Sequence, residues 1–256
     1  MALLHWNFYS QALGIAASAD IILPQDAIEK GKKLPTLYLL HGMSDDHSIW
    51  QRRTSIERYA DALGLAVVMP AVNRSRYANM VHGARYWDFV SEEVPRLARV
   101  FFPLSDKRAD NFVAGLSMGG YGAFKMALSH PDRYAAAASL SGAVDMVARA
   151  RELAGSDPMH RREIEDTFGP LDNLAGSSND LLFLLDKLAA RKRRPLLYQW
   201  CGSEDFLYQN NVDFHQHAKK CGIKIKYSKG PGSHTWDKWD EQIEKVLAWL
   251  PLKGDK

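Results

Sequence analysis

Gly115-Leu116-Ser117-Met118-Gly119 is a G-x-S-x-G run set directly between an apolar stretch, Asn111-Phe112-Val113-Ala114, and a segment of helical character. In that context the five residues predict a nucleophile elbow, a tight strand-to-helix turn that lifts a serine hydroxyl above a sheet. Positions two before and two after the serine must be small for such a turn to close; both are glycine, and Gly120 extends the small patch. Ser117 would then lie at a helix N-terminus, whose partial positive charge favours developing negative charge. Neither the G-x-G-x-x-G nor the P-loop spacing is present, which removes the nucleotide-binding readings of a glycine-rich turn.

A serine hydroxyl is a weak nucleophile until a neighbouring base takes its proton. On strand–elbow–helix scaffolds the chain order is serine, then acid, then histidine. That order reduces the nine histidines to His215, His217 and His234. His215 and His217 fall two apart in a helical stretch, about 200° around the axis, so they face opposite sides and make neither a metal pair nor a good base. His234 lies in the glycine-containing loop Gly230-Pro231-Gly232-Ser233-His234, which can swing a ring over the end of a sheet. The acid belongs in Gly202-Ser203-Glu204-Asp205, where both Glu204 and Asp205 are available.

Acyl transfer also needs donors aimed at the oxygen that becomes negative. The backbone N–H of Met118, just after the nucleophile, is one candidate. The N–H of Met43, in the His41-Gly42-Met43 turn after an early strand, is the other. His41 precedes the acid and is expected to be structural. Trp50, Trp87, Phe206, Leu207 and Trp236 lie near strand ends and are candidates for lining a substrate pocket, with core packing as the competing role.

These groups need a scaffold of alternating strands and helices. A hairpin is expected at 4–10 and 16–23 with Gly14 near its turn, followed by short apolar strands at 36–40, 65–69, 111–116, 135–141, 195–201 and 223–228. Helices are expected at 55–63 with Thr54 as N-cap, at 88–102 with Pro95 starting or kinking it, and at 119–129, 181–191 and 211–220. A last helix places Trp236, Trp239, Ile243, Val246, Leu247 and Leu250 on one face. Alternation of this kind implies a mostly parallel sheet with helices on both faces. Residues 142–178 break the alternation and read as a small cap over one end of a single domain spanning 1–256.

The chain has 256 residues, 46% of them apolar, and a formal net charge of +3 with acids and bases interspersed. That balance offers no nucleic-acid footprint. The basic run Arg191-Lys192-Arg193-Arg194 falls at a helix C-terminus, where cations complement the helix dipole. No stretch approaches the roughly 20 apolar residues that span a bilayer. The first twenty residues lack the basic start of a signal peptide, so the expected location is cytoplasmic. Two cysteines, Cys201 and Cys221, make no disulfide framework and read as buried thiols.

Taken together, Leu39-Leu40-His41-Gly42-Met43, Trp50, Gly115-Leu116-Ser117-Met118-Gly119-Gly120-Tyr121-Gly122, Trp200-Cys201-Gly202-Ser203-Glu204-Asp205-Phe206-Leu207 and Gly232-Ser233-His234-Thr235-Trp236 resemble the bacterial tributyrin esterases. These belong to the esterase D group, with S-formylglutathione hydrolases, feruloyl esterases and mycobacterial mycolyltransferases. The resemblance spans nearly the whole chain and implies the α/β-hydrolase fold. It implies a Ser117–Asp205–His234 triad, choosing Asp205 over Glu204, with Met43 and Met118 as backbone donors. The implied activity is hydrolysis of short-chain acyl esters through an acyl-serine, with no cofactor or metal and a small-molecule ester as partner; a homo-oligomer is left open. A thioesterase of the S-formylglutathione hydrolase type and a feruloyl or acetyl-xylan esterase are the rivals. Those thioesterases carry an Asn-Trp-Arg-like segment where this chain has Ala84-Arg85-Tyr86-Trp87-Asp88, which lowers that reading. A non-catalytic binding module would have no need of the full triad pattern.

Overall fold

The structure is a computed structural model and describes residues 1–252. Eight strands form one sheet in the order β1-β2-β4-β3-β5-β6-β7-β8. They are β1 Ala2–Ser10, β2 Ile15–Leu23, β3 Thr36–Leu40, β4 Ala66–Pro70, β5 Asn111–Leu116, β6 Ala136–Leu140, β7 Leu196–Gly202 and β8 Ile225–Gly230. The N-terminal hairpin pairs Ala2 with Leu23 through Ser10 with Ile15, and Gly14 takes a positive φ in its turn. β2 joins β4 antiparallel, and every later pairing is parallel.

Helices connect the strands: α1 Gln25–Glu29, α2 Ile49–Arg53, α3 Ile56–Ala62, α4 Tyr86–Asp88, α5 Val94–Phe101, α6 Met118–Ser129, α7 Met146–Ser156, α8 Pro158–Phe168, α9 Leu181–Ala189, α10 Tyr208–Lys220 and α11 Trp236–Trp249. Strand alternation divides the core into two layers. Tyr38, Leu40, Val68 and Val113 face a layer with Tyr121 and Phe124 of α6. Leu37, Leu39, Val67 and Phe112 face a layer with Trp239, Ile243 and Val246 of α11. All residues of β3 to β6 are buried, as near-continuous apolar runs require when both faces are covered.

Several local expectations need correction. The stretch 88–102 is not one regular helix: a π turn, Phe89–Glu93, separates α4 from α5. Pro95 causes the break chemically, because it has no N–H to give to the carbonyl four residues back. That carbonyl, of Ser91, accepts from Arg133 Nη1 at 3.2 Å instead. The N-cap of α3 is Ser55, yet the Thr54 hydroxyl still accepts from the Ile56 N–H at 3.2 Å. Cys201 is buried, but Cys221 is only partly so and donates to Asp186. Arg194 donates to the Ala189 and Arg191 carbonyls at the end of α9, so this part of the basic run closes a helix C-terminus. Residues 142–178 contain α7 and α8 and a short 3-10 turn, Leu171–Asn173. No helix among the described residues is long and apolar enough to cross a membrane.

Candidate active site

The elbow is built from β5 and α6. Ser117 has φ 50 and ψ −117, and its N–H donates to the Leu140 carbonyl at 2.9 Å. The flanking glycines are required by close approach: a Cβ on Gly115 would lie 2.4 Å from the Gly119 carbonyl oxygen, and one on Gly119 would lie 2.3 Å from that of Leu40. No side chain fits at either position without moving backbone, so the glycines fix where the serine stands.

His234, from the loop after β8, places Nε2 2.9 Å from Ser117 Oγ. Its Nδ1 lies 2.8 Å from Asp205 Oδ2, on the loop after β7. A carboxylate only accepts, so Nδ1 carries the proton and the Nε2 lone pair faces the serine hydroxyl. Asp205 is held in turn by the Leu207 N–H, which donates to Oδ1 at 2.8 Å. Burial pushes its carboxyl up, but the hydrogen bond and charge of His234, the Leu207 amide and the Ser141 hydroxyl outweigh this and hold it below the ordinary value. Ser141 also accepts from Trp239 Nε1 at 3.1 Å. Nothing in the local sequence marked Ser141, which simply follows the end of β6.

Glu204 points elsewhere: its carboxylate accepts from the Gly232 N–H and the Ser203 hydroxyl. It is exposed, and it also fastens the histidine loop. His215 stacks on Tyr227 at 4.5 Å, while His217 bonds Asp186 at 2.8 Å, in keeping with opposite helix faces.

His41 is buried between β3 and the loop after β4. The Val72 N–H donates to its Nε2 at 3.0 Å, so Nδ1–H donates to the Gly42 carbonyl at 2.7 Å. Burial lowers its pKa to about 4, keeping the ring neutral. A trans peptide sets C=O and N–H on opposite sides. Holding the Gly42 carbonyl therefore turns the Met43 N–H the other way.

A cleft of about 190 Å³ opens at Ser117. Met43, Met118, Phe206 and Leu207 line it, and so do Met146 and Leu153 of α7. Trp50, Trp87 and Trp236, expected as pocket residues, do not line it. Trp50 is fully buried, with Nε1 donating to the Leu40 carbonyl and its ring edge-on to Trp236 at 5.2 Å. Trp87 covers the Lys125 ammonium at 4.3 Å. Large rings at strand ends are taken up by packing, which is the commoner use of such residues. Arg74, Arg76, Arg149, His160 and Glu163 also border the cleft, and none of them belongs to a recognisable sequence motif. Their sign was available in part: Met146, Arg149 and Leu153 recur at helical spacing.

Asp186, His217 and Cys221 bring three donors of metal-ligand type within 4.8 Å of one another, a grouping that helix spacing alone did not suggest. They lie on α9 and at the end of α10, and none lines the cleft.

The hydrogen-bonded chain Ser117–His234–Asp205 can move a proton off the serine hydroxyl and stabilise the imidazolium that results. Comparison with solved structures finds the same architecture in serine hydrolases. FphF, a fluorophosphonate-binding serine hydrolase of Staphylococcus aureus, is 39% identical with a TM-score of 0.90, over 98% of this chain and 99% of that one. The S-formylglutathione hydrolase FrmB of the same organism is 39% identical with a TM-score of 0.86, over 98% of both chains. The fold is thus that of the α/β-hydrolases. An acetyl esterase of Caldicellulosiruptor saccharolyticus is 32% identical over the full length of both sequences. With residues 10–250 matching the Esterase family, the chain belongs to that family.

Proposed function

We propose that this chain is a serine carboxylesterase that hydrolyses short-chain acyl esters, with Ser117 as nucleophile, His234 as base and then acid, and Asp205 as the group that orients His234 and stabilises its protonated form. The observation that carries the reading is the continuous Ser117–His234–Asp205 hydrogen-bond chain, with Ser117 lining a cleft. His234 takes the hydroxyl proton as Oγ attacks the ester carbonyl, and the N–H groups of Met43 and Met118 receive the oxyanion. His234 then gives the proton to the leaving alcohol. Water repeats the sequence to free the acid and restore Ser117. No group beyond the chain's own side chains and amides is asked to act.

Short acyl chains are favoured by the small cleft and by the acetyl esterase relative. Residues 142–178 act as a cap on the single domain, a reading supported by the residues of α7 and α8 that line the cleft. Tributyrin is one ester of this size. The likeness to FrmB supports a second reading, hydrolysis of S-formylglutathione. The test is kcat/KM for acetyl, butyryl, octanoyl and feruloyl esters beside S-formylglutathione, with an organophosphonate ester as active-site label. Label on Ser117 and preference for acetyl or butyryl esters are expected. Label on another serine, such as Ser141, would refute the assignment, and dominant turnover of S-formylglutathione would move the activity to the second reading.

A further inference from the structure

One wall of the cleft carries more positive charge than ester hydrolysis requires. Arg74, Arg76 and Arg149 all border it, and Glu163 is the one acid among its lining residues. Arg74 takes the better share of that acid, with Nε at 3.0 Å and Nη2 at 2.8 Å from Oε1. Arg76 is left with long contacts: Nη2 is 3.4 Å from Glu163 Oε2, and Nη1 is 3.5 Å from Thr167 Oγ1. Its side chain is 3% exposed, so water does little for it. Arg149 pairs with Glu152, an acid that is mostly exposed, and lies over the Phe206 ring at 5.2 Å.

The loop that presents Arg76 is fastened in an unusual shape. Asn73, Arg76 and Tyr77 all have positive φ. The Tyr77 hydroxyl donates to the His41 carbonyl at 2.9 Å, and the Tyr77 carbonyl accepts from the buried Lys125 Nζ at 2.8 Å. The backbone is therefore held so that a buried guanidinium faces the cleft. Burial lowers the Arg76 pKa; Glu163 opposes this, and the nearby charges of Arg74 and Arg149 add to it. Cations gathered in this way are relieved by an anion, and a guanidinium matches the two oxygens of a carboxylate.

We propose that Arg74, Arg76 and Arg149 form a carboxylate-recognising wall, and that the preferred esters carry a carboxylate remote from the scissile bond. This rests on the esterase reading above and names its substrate class. The apolar residues that line the same cleft, Met43, Met146 and Leu153, would hold the carbon chain between the two ends.

The test uses two matched pairs. In one, 4-butyryloxybenzoate is compared with its methyl ester, which puts the charge on the alcohol. In the other, the p-nitrophenyl monoester of adipic acid is compared with its methyl ester, which puts it on the acyl group. The ratio of kcat/KM, anion over neutral, is corrected for the uncatalysed rates. The wild-type ratio should reach about tenfold in at least one pair, the value of one charge-assisted hydrogen bond at its weaker end. It should fall as ionic strength rises. Arg149→Gln and Arg74→Gln should each lower the ratio toward one, whereas Arg149→Lys should retain an intermediate ratio, since it keeps the charge and loses the two-pronged fork. If neutral esters turn over at Ser117 and neither pair prefers the anion, the wall is refuted and the esterase stands. A wild-type preference unmoved by both glutamine variants also refutes it. If no ester turns over and the phosphonate leaves Ser117 unlabelled, the esterase reading itself fails.

Discussion

Asp205→Asn separates the proposed orienting acid from its neighbour, and its effect follows from the hydrogen bonds on each oxygen. Oδ1 accepts from the Leu207 N–H at 2.8 Å, and Oδ2 accepts from His234 Nδ1 at 2.8 Å. An asparagine has one oxygen for these two donors. If the oxygen stays on Leu207, the amide NH₂ faces His234, which must then accept at Nδ1 and carry its proton at Nε2. That tautomer cannot take the Ser117 proton. If the amide flips, the NH₂ meets the Leu207 N–H, and an unsatisfied buried donor costs about 1–3 kcal/mol. The productive orientation is then a minority by a factor of about 5 to 150. The negative charge that stabilises the imidazolium is lost as well. The serine-protease triad gives about 10⁴ for the corresponding loss, so a fall of 10³ to 10⁴ in kcat is expected here, roughly 4–5.5 kcal/mol. Glu204→Gln should change kcat by less than about tenfold, because its carboxylate serves Gly232 and Ser203 and not the imidazole. The assay is steady-state hydrolysis of p-nitrophenyl butyrate, with circular dichroism to check folding. A folded Asp205→Asn variant that keeps more than a tenth of wild-type kcat, beside a crippled Glu204→Gln, would overturn the assignment.

Three further outcomes are expected. His41 is held near pKa 4 in the fold against an ordinary 6.5, so the unfolded chain binds its proton first. Its contribution is complete above about pH 6.5 and is lost as pH falls toward 4, up to roughly 3 kcal/mol in full. Urea unfolding at pH 7 and 4.5 should show a smaller acid loss for His41→Gln than for the wild type, and equal losses would contradict a neutral buried ring. Gains in kcat/KM along p-nitrophenyl esters should stop early, because each added methylene contributes about 0.8 kcal/mol only where it leaves water. Met159 in the cap segment is largely exposed, Ile164 and Leu174 pack into the core, and none of them lines the cleft. A maximum at decanoate or beyond, measured below micelle-forming concentrations, would refute the short-acyl reading. Dialysis against EDTA should leave activity intact, since the Asp186–His217–Cys221 group does not line the cleft; activity lost and then restored by zinc would contradict this.

The parts of the molecule governed by short-range rules could be read from the sequence. Thr36–Leu40 and Asn111–Leu116 are strands over the expected residues, since buried parallel strands are unbroken apolar runs bounded by turn residues. Chain order and loop position point to Ser117 and His234 and narrow the acid to Glu204 or Asp205, between which only the family resemblance chooses. What escaped depends on side chains meeting across long separations. Arg76 and Glu163 are far apart in sequence, and neither is unusual in its own neighbourhood. Trp50 and Trp236 were expected at the pocket because strand ends border it, but their rings turn inward against each other. Thr54 and Pro95 show the finer limit: the hydroxyl and the missing amide act as anticipated, while the element boundaries shift around them.

The conformation of Ser117 has a consequence for how this enzyme can be made more robust. A non-glycine residue held at φ 50 costs on the order of 1–3 kcal/mol, and the surrounding core supplies the stability that keeps it there. The proposed nucleophile is therefore a position where fitness of the fold and fitness of the catalyst pull in opposite directions. Ser117→Gly relieves the turn and deletes the activity in one step. A domain of this size gains about 2–4 °C in Tm for each kcal/mol. Directed evolution scored on heat resistance alone would reward that loss. Any search for a hardier variant has to score turnover alongside melting, and should look for its gains away from the elbow.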